Sequence, residues 1–194
     1  MPNDTSFARL VSLACHDVRT PLATVHGFTT TLARTTELAP PADKYVEMIE
    51  AASRQIAELL DELSLVARIE AGRYDPLLRD AETLALAAAA AERLGSDRVQ
   101  VSGEGASVQT DLEAVDRGVS ALVQATLRHG GLDEVHVRVR GTELEVEPVT
   151  ESSGKVVTGQ DLRDLGAAVA VRLLERLGGA VTVDGSVMKI RLPG

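Results

Sequence analysis

The first 75 residues carry apolar side chains at a spacing of seven, which limits the fold more than any other feature of the chain. In the first segment the two apolar rows are Phe7, Ala14, Pro21, Phe28 and Val11, Val18, Val25, Leu32. In the second segment they are Tyr45, Ala52, Leu59, Val66 and Ile49, Ile56, Leu63. This spacing is typical of helices that pack against other helices. Residues 1–75 are therefore predicted to form a hairpin of two long helices, joined near Pro40 and Pro41. One hairpin cannot bury both stripes, so we expect two copies to form a homodimeric four-helix bundle.

Composition and charge exclude several classes of function. The net charge of −9 argues against nucleic acid or anionic lipid as a partner. No apolar run approaches the roughly 20 residues that a membrane span needs. The single cysteine, Cys15, allows no internal disulfide and fits a reducing compartment. We expect a cytoplasmic protein that binds neither nucleic acid nor membranes.

The stretch SLACHDVRTPL, residues 12–22, places an imidazole, an acid and a proline within the first helix. At about 100° per residue, His16 lies half a turn away from the stripe through Val18 and Val25, on the solvent face. A proline inside a helix costs about 3 kcal/mol unless something offsets it. Pro21 also deprives the carbonyl of Asp17 of its helical hydrogen bond.

An exposed imidazole beside a carboxylate is suited to nucleophilic chemistry on a large partner. The ordinary pKa of histidine is about 6.5, and an adjacent acid holds the tautomer. The simpler interpretation is a surface histidine beside a tolerated kink. Cys15 is predicted to be a small residue at the bundle edge rather than a partner of His16. The other histidines, His26, His129 and His136, do not fall at the spacing of metal ligands.

The sequence His16-Asp17-Val18-Arg19-Thr20-Pro21-Leu22 resembles the H-box of two-component histidine kinases, H-E/D-x-R-T-P-L. The resemblance implies that His16 accepts phosphate and that Asp17 activates it. It implies that Thr20 orients a hydrolytic water in phosphatases, and that Arg19 and Pro21 support the site. It also implies that residues 1–75 are a dimerisation and histidine-phosphotransfer domain.

In that family an ATP-binding α/β sandwich follows the hairpin, and residues 76–194 resemble it in outline. Helices are predicted over 81–94, 112–128 and 161–177. Strands are predicted over 98–102, 134–140, 143–149, 180–183 and 187–192. The closing elements of the family resemble Gly178-Gly179-Ala180 and Lys189-Ile190-Arg191-Leu192-Pro193.

The nucleotide-binding motifs of the family are altered. The N-box, N-L-L-x-N-A, aligns with residues 121–126, where alanines (Ala121 and Ala125) replace both asparagines. The D-x-G-x-G box aligns with residues 148–152, which lack its aspartate and glycines. The G-x-G-L box aligns with residues 164–167, where Asp164 would repel a phosphate. Residues 152–155 only faintly resemble a P-loop and are predicted to be a solvated loop. We therefore expect that the chain binds no ATP.

An intact H-box beside altered nucleotide motifs resembles the standalone histidine phosphotransferases of bacterial phosphorelays. The resemblance implies that His16 takes phosphate from one response-regulator receiver domain and passes it to another. Mg²⁺ would sit on the receiver, with no cofactor or metal in this chain. Small side chains below His16 are predicted to dock the receiver: Ala23, Thr24, Gly27 and Thr31, beside Thr20. The alternatives are a regulator that binds a receiver or kinase without carrying phosphate, and a kinase or bifunctional phosphatase with an altered nucleotide site.

Overall fold

The computed structural model describes residues 5–35, residue 38 and residues 40–193, with only the backbone given for Thr5, Ser6 and Thr35. The chain divides into two compact units, the first ending at Tyr74 and the second beginning at Asp75. The sequence places this boundary one residue later. Within the described residues, none of the helices combines the length and the apolar character of a membrane span.

The first unit is a hairpin of helices α1 (Thr5–Thr35) and α2 (Ala42–Glu70). Helix α1 continues through Pro21 without a break. Helix α2 ends in a Schellman motif, in which Gly72 has a φ of 65° and the N–H of Arg73 donates to the carbonyl of Arg68 at 2.8 Å. Gly72 thus lies one residue beyond the cap residue, Ala71.

The most buried side chains of the two hairpin helices are small or polar, whereas most members of the predicted apolar stripes are exposed. The buried residues of α1 are Ala8, Cys15 and Thr29, and those of α2 are Ser53 and Ala67. The prediction that Cys15 lies at the bundle edge is wrong, because it is only 1% exposed. Ala8, Cys15 and Thr29 also recur at heptad spacing. They form the row that faces α2, and this row is offset by one residue from the row that begins at Phe7.

The apolar stripes remain open to solvent in the single chain. On α1 the exposed members include Phe7, Val18, Val25, Phe28 and Leu32, and on α2 Tyr45, Ile49, Ile56 and Leu59. Phe28 is 68% exposed. We call this surface the apolar seam. A helix normally buries such a stripe, so much of the apolar surface of the single hairpin is left without a packing partner.

The second unit is an α/β sandwich. Its elements follow in the order β1 (Leu78–Glu82), α3 (Thr83–Leu94), β2 (Val99–Gly105), β3 (Ser107–Asp111), α4 (Leu112–Gly130), β4 (Val135–Gly141), β5 (Glu143–Glu147), α5 (Glu151–Val157), α6 (Leu165–Arg176), β6 (Ala180–Asp184) and β7 (Val187–Arg191). The main sheet has the order β2-β4-β5-β7-β6, with only β2 and β4 parallel. Strands β1 and β3 form a separate antiparallel pair.

The alternation of apolar and charged residues explains the two faces of the main sheet. Val135, Val137 and Val139 of β4 are buried, as are the central residues of α4. The intervening arginines of β4 face the opposite side, where Arg140 Nε lies 3.0 Å from Glu145 Oε2 of β5. The core therefore lies between one face of the sheet and the helices.

Three elements were not predicted from the sequence. Strands β1 and β3 are short and pair only with each other, and α5 occupies residues assigned to a solvated loop. The loop prediction is wrong because Thr150 caps a helix there. Its hydroxyl accepts from the N–H of Ser153, whose own hydroxyl accepts from the N–H of Thr150.

Candidate functional site

The H-box lies midway along α1. The side chain of His16 is 78% exposed, so a large partner can reach the ring. The Nδ1 atom of His16 lies 3.2 Å from Oδ1 of Asp17, itself well exposed. When Nδ1 carries the proton it donates to this carboxylate, and Nε2 keeps the lone pair. The arrangement presents one ring nitrogen as a nucleophile.

Arg19 makes a contact that the sequence analysis missed. Its Nη2 donates to Oδ1 of Asp61 on α2 at 2.7 Å, joining the two helices beside His16. Both side chains are about half exposed, so the pair contributes about 0.2–1 kcal/mol to stability. The sequence holds no signal for this pair, because the register of two antiparallel helices depends on the turn between them.

The predicted docking residues lie together on the exposed side of α1. We call Thr20, Ala23, Thr24, Gly27 and Thr31 the docking face. The hydroxyl of Thr24 donates to the carbonyl of Thr20 at 3.2 Å, and that of Thr31 to the carbonyl of Gly27 at 2.8 Å. A Cβ at Gly27 would meet nothing within 4 Å. Because these hydroxyls hydrogen-bond to the backbone of the preceding turn, the threonine side chains project little from the helix. The docking face is therefore shaped mainly by methyl groups.

In the α/β unit, the residues aligned with the N-box belong to α4. Ala125 and Thr126 are buried in the core, and the Thr126 hydroxyl donates to the carbonyl of Leu122 at 2.9 Å. Ala121 is half-buried. Neither alanine offers an oxygen to a metal or a phosphate. Among the described residues, no group of three or more His, Cys, Asp or Glu side chains is arranged to hold a metal ion.

Asp164 occupies the N-terminus of α6, where the sequence analysis placed a residue that repels phosphate. Its Oδ1 accepts from the N–H of Ala167 at 3.1 Å, as an N-cap does. Its Oδ2 lies 3.0 Å from His129 Nε2 and 3.6 Å from Arg128 Nη1, both on α4. The helix end that would receive an anion is thus already bound to a carboxylate of the same chain. His129 has a structural contact that its position in the sequence did not reveal.

A cleft of about 590 Å³ lies beside this cluster, lined by His129, Gly130, Thr150, Glu151, Ser152, Lys155, Asp161 and Arg163. Its cations are paired within the chain: Lys155 Nζ lies 2.7 Å from Glu151 Oε1, and Arg163 Nε lies 2.7 Å from Asp161 Oδ2. The hydrogen bond and charge of Lys155 lower the pKa of the Glu151 carboxyl. The cleft therefore has little uncompensated positive charge to offer a polyanion.

The Asp164 cluster leads to a stability prediction. Asp164→Ala removes the N-cap of α6 and the link to His129, and should lower the free energy of unfolding by about 1–2 kcal/mol. Asp164→Asn keeps a good capping oxygen and should cost less than half as much. Thermal and denaturant unfolding measure both variants. Equal losses for alanine and asparagine would contradict a capping role.

The comparisons with known proteins agree with this geometry. Residues 8–72 match the His Kinase A (phospho-acceptor) domain. The chain is 24% identical, over 98% of its length, to the sensor histidine kinase TrcS of Mycobacterium tuberculosis. It spans only 44% of the length of that relative.

Two solved structures share the fold over most of the chain. Full-length ShkA in complex with AMPPNP superposes with a TM-score of 0.69 at 17% identity, covering 94% of this chain and 44% of ShkA. The histidine kinase AdeS of Acinetobacter baumannii has a TM-score of 0.57 at 14% identity, covering 92% of this chain and 97% of AdeS. Residues 8–72 thus match a phospho-acceptor domain, and most of the chain shares the fold of ShkA and of the histidine kinase AdeS.

Proposed function

We propose that this chain is a histidine phosphotransferase of a bacterial phosphorelay. His16 takes a phosphoryl group from the phosphoaspartate of one response-regulator receiver domain and passes it to the aspartate of another, without ATP. The observation that carries the proposal is the exposed His16 ring, whose Nδ1 lies 3.2 Å from Oδ1 of Asp17; when Nδ1 carries the proton, Nε2 is the nucleophile. A protein substrate needs this exposure, whereas a small substrate is usually bound in a pocket.

Within this chain, the chemical steps of the transfer use only the side chains of His16 and Asp17. Nε2 of His16 attacks phosphorus, the Nε2–P bond forms, and the P–O bond to the receiver's aspartate breaks, releasing a carboxylate. The proton on Nδ1 stays on the ring and is hydrogen-bonded to Asp17, which stabilises the cationic ring formed in the transition state. The reverse steps phosphorylate the second receiver. The proposal assigns Mg²⁺ to the carboxylates of the receivers.

Two features of the α/β unit support a reaction without ATP. The positions aligned with the N-box asparagines are Ala121 and Ala125, and Ala125 is buried in the core. Asp164 caps α6 and pairs with His129, so a triphosphate approaching that helix end would meet a fixed carboxylate. Like charges at a few ångströms repel, most strongly where both are shielded from water.

The second candidate function is that of a kinase, which transfers a phosphoryl group from ATP to His16. It is favoured by the shared fold with ShkA, which is in complex with AMPPNP, and by the cleft near His129. Under that alternative the cleft accepts a nucleotide once the Lys155–Glu151 and Arg163–Asp161 pairs rearrange. Calorimetric titration with Mg²⁺ and ATP separates the two functions, because micromolar binding would favour the kinase.

The main prediction concerns the origin of the phosphate. Incubation with a receiver domain phosphorylated by acetyl phosphate should place acid-labile label on His16, and label should then move to a second receiver. Incubation with radiolabelled ATP should place none. His16→Ala should abolish labelling, whereas His136→Ala, in the α/β unit, should not change it. A folded chain that is labelled by ATP and not by any receiver of the same genome would overturn the proposal.

The homodimer is part of the proposal, since the apolar seam needs a cover and a second copy offers the matching stripe. Phe28→Glu places a charge in the seam and should convert the dimer to a monomer in light scattering. Leu162→Glu, at a similarly exposed leucine of the α/β unit, should leave the dimer intact. A wild-type chain that is monomeric at micromolar concentration would contradict the prediction.

The docking face leads to a prediction in which stability and transfer change in opposite directions. Gly27→Leu should raise hairpin stability by up to about 1 kcal/mol, because glycine is a poor helix former and the added side chain meets open space. Transfer from the receiver should slow by about tenfold, because the larger side chain holds the partner away from His16. Ala51→Leu adds bulk at an exposed position of α2 and should not affect transfer. Unchanged transfer in Gly27→Leu would show that the receiver docks elsewhere.

A further inference from the structure

We propose that Asp61 is a positioning residue for phosphoryl transfer, acting through Arg19. The inference rests on the proposed function of His16. It starts from the 2.7 Å contact between Arg19 Nη2 and Asp61 Oδ1, which joins α1 to α2 at the level of the H-box. A charged contact at this place can serve either to hold the helices together or to hold the guanidinium beside the reacting ring.

The electrostatics of His16 require a cation close by. A phosphoryl group brings about two negative charges to Nε2, and Asp17 already places a carboxylate at Nδ1. Within residues 12–20, Arg19 is the only lysine or arginine. It lies three positions after His16, so the two side chains are neighbours on the helix surface. Arg19 is therefore the cation of this stretch placed to balance the charge of a phosphorylated His16, whereas Arg73 is held at Ser12, one turn earlier on α1, where its Nη2 lies 3.4 Å from Oγ.

Asp61 restrains the Arg19 guanidinium without occupying all of its N–H donors. An arginine carries five N–H donors, and the contact with Asp61 Oδ1 is made by Nη2. A free arginine side chain on an exposed helix samples many rotamers, and an anchored one loses less freedom when it binds a phosphoryl oxygen. Asp61 thus holds Arg19 at the edge of the hairpin next to His16, with donors left for the phosphoryl group.

The contact differs from an ordinary structural ion pair in one testable way. A pair that only joins the helices works equally well with its charges exchanged. A pair that positions a cation for His16 does not, because exchange places a carboxylate on α1 beside the reacting ring. The doubly substituted chain, Arg19→Asp with Asp61→Arg, therefore separates the two roles.

The experiment uses the full chain and two phosphoryl donors. Phosphoramidate phosphorylates imidazole directly: the Nε2–P bond forms, the P–N bond breaks and ammonia leaves, with no receiver required. The rate of label appearing on His16 is followed by phosphorus NMR, with His16→Ala as the blank. The same chains are then tested with a phosphorylated receiver domain, and their thermal unfolding is recorded.

The inference predicts that Asp61→Asn slows labelling about three- to fivefold with either donor, and that Asp61→Glu recovers part of the rate. Glu58→Gln, which removes the same charge one turn earlier on α2, should have no effect. The exchanged double variant should recover the thermal stability lost in Asp61→Asn but not the rate of labelling.

Several results would overturn the inference. One is a wild-type rate in Asp61→Asn, and another is recovery of both rate and stability in the exchanged variant. Slowing with the receiver alone would assign Asp61 to docking. Failure of the proposed function has a different signature: phosphoramidate labelling that depends on Asp61 while no receiver donates phosphate.

Discussion

Helix α1 has to present three different surfaces around its circumference, and this requirement determines how the hairpin is organised. One stripe of its surface contacts α2 through Ala8, Cys15 and Thr29, and the neighbouring apolar seam stays open to solvent in the single chain. What remains of the circumference carries His16 and the docking face. The heptad register that defines the first two surfaces therefore also fixes the third. A shift of the register by one residue would place His16 where Cys15 now lies, in the contact with α2, where no partner could reach it.

The α/β unit shows how a helix terminus that can bind anions is occupied from within the chain. Asp164 caps α6 and contacts His129, so the backbone N–H of Ala167 is satisfied without a ligand. Ala125 lies in the packed interior of α4. Asp164 and Ala125 therefore both make internal contacts of the sandwich.

The sequence predicted the long elements well because their signals are local and repeat many times. Helix α4 was predicted over 112–128 and runs to Gly130, and the heptads gave both hairpin helices. Strands β1 and β3 were missed since five residues that pair only with each other give a weak pattern. Helix α5 was missed because its seven residues depend on a cap between Thr150 and Ser153.

The position of His16 on the solvent face followed from angular spacing alone, and so did the exposure of the docking face. The contact of Arg19 with Asp61 could not be predicted, because it depends on how two helices are aligned through a turn. The burial of Cys15 was misjudged for a related reason. The most buried residues of α1 are small or polar, and the larger apolar rows obscure their spacing in the sequence.

Under the proposed function, His16 would give up its phosphoryl group as readily as it receives it, and its surroundings suit that requirement. In a buried pocket, several charge-assisted hydrogen bonds would hold the phosphorylated ring too tightly for rapid release. At His16 the ring is 78% exposed, so the attraction of nearby charges is weakened by water. One carboxylate orients the ring and one arginine, held by Asp61, is placed to offset the incoming charge. Under the proposed function, this weak, balanced environment would leave the direction of transfer to the receiver domains, whose own sites would determine where the phosphate finally resides.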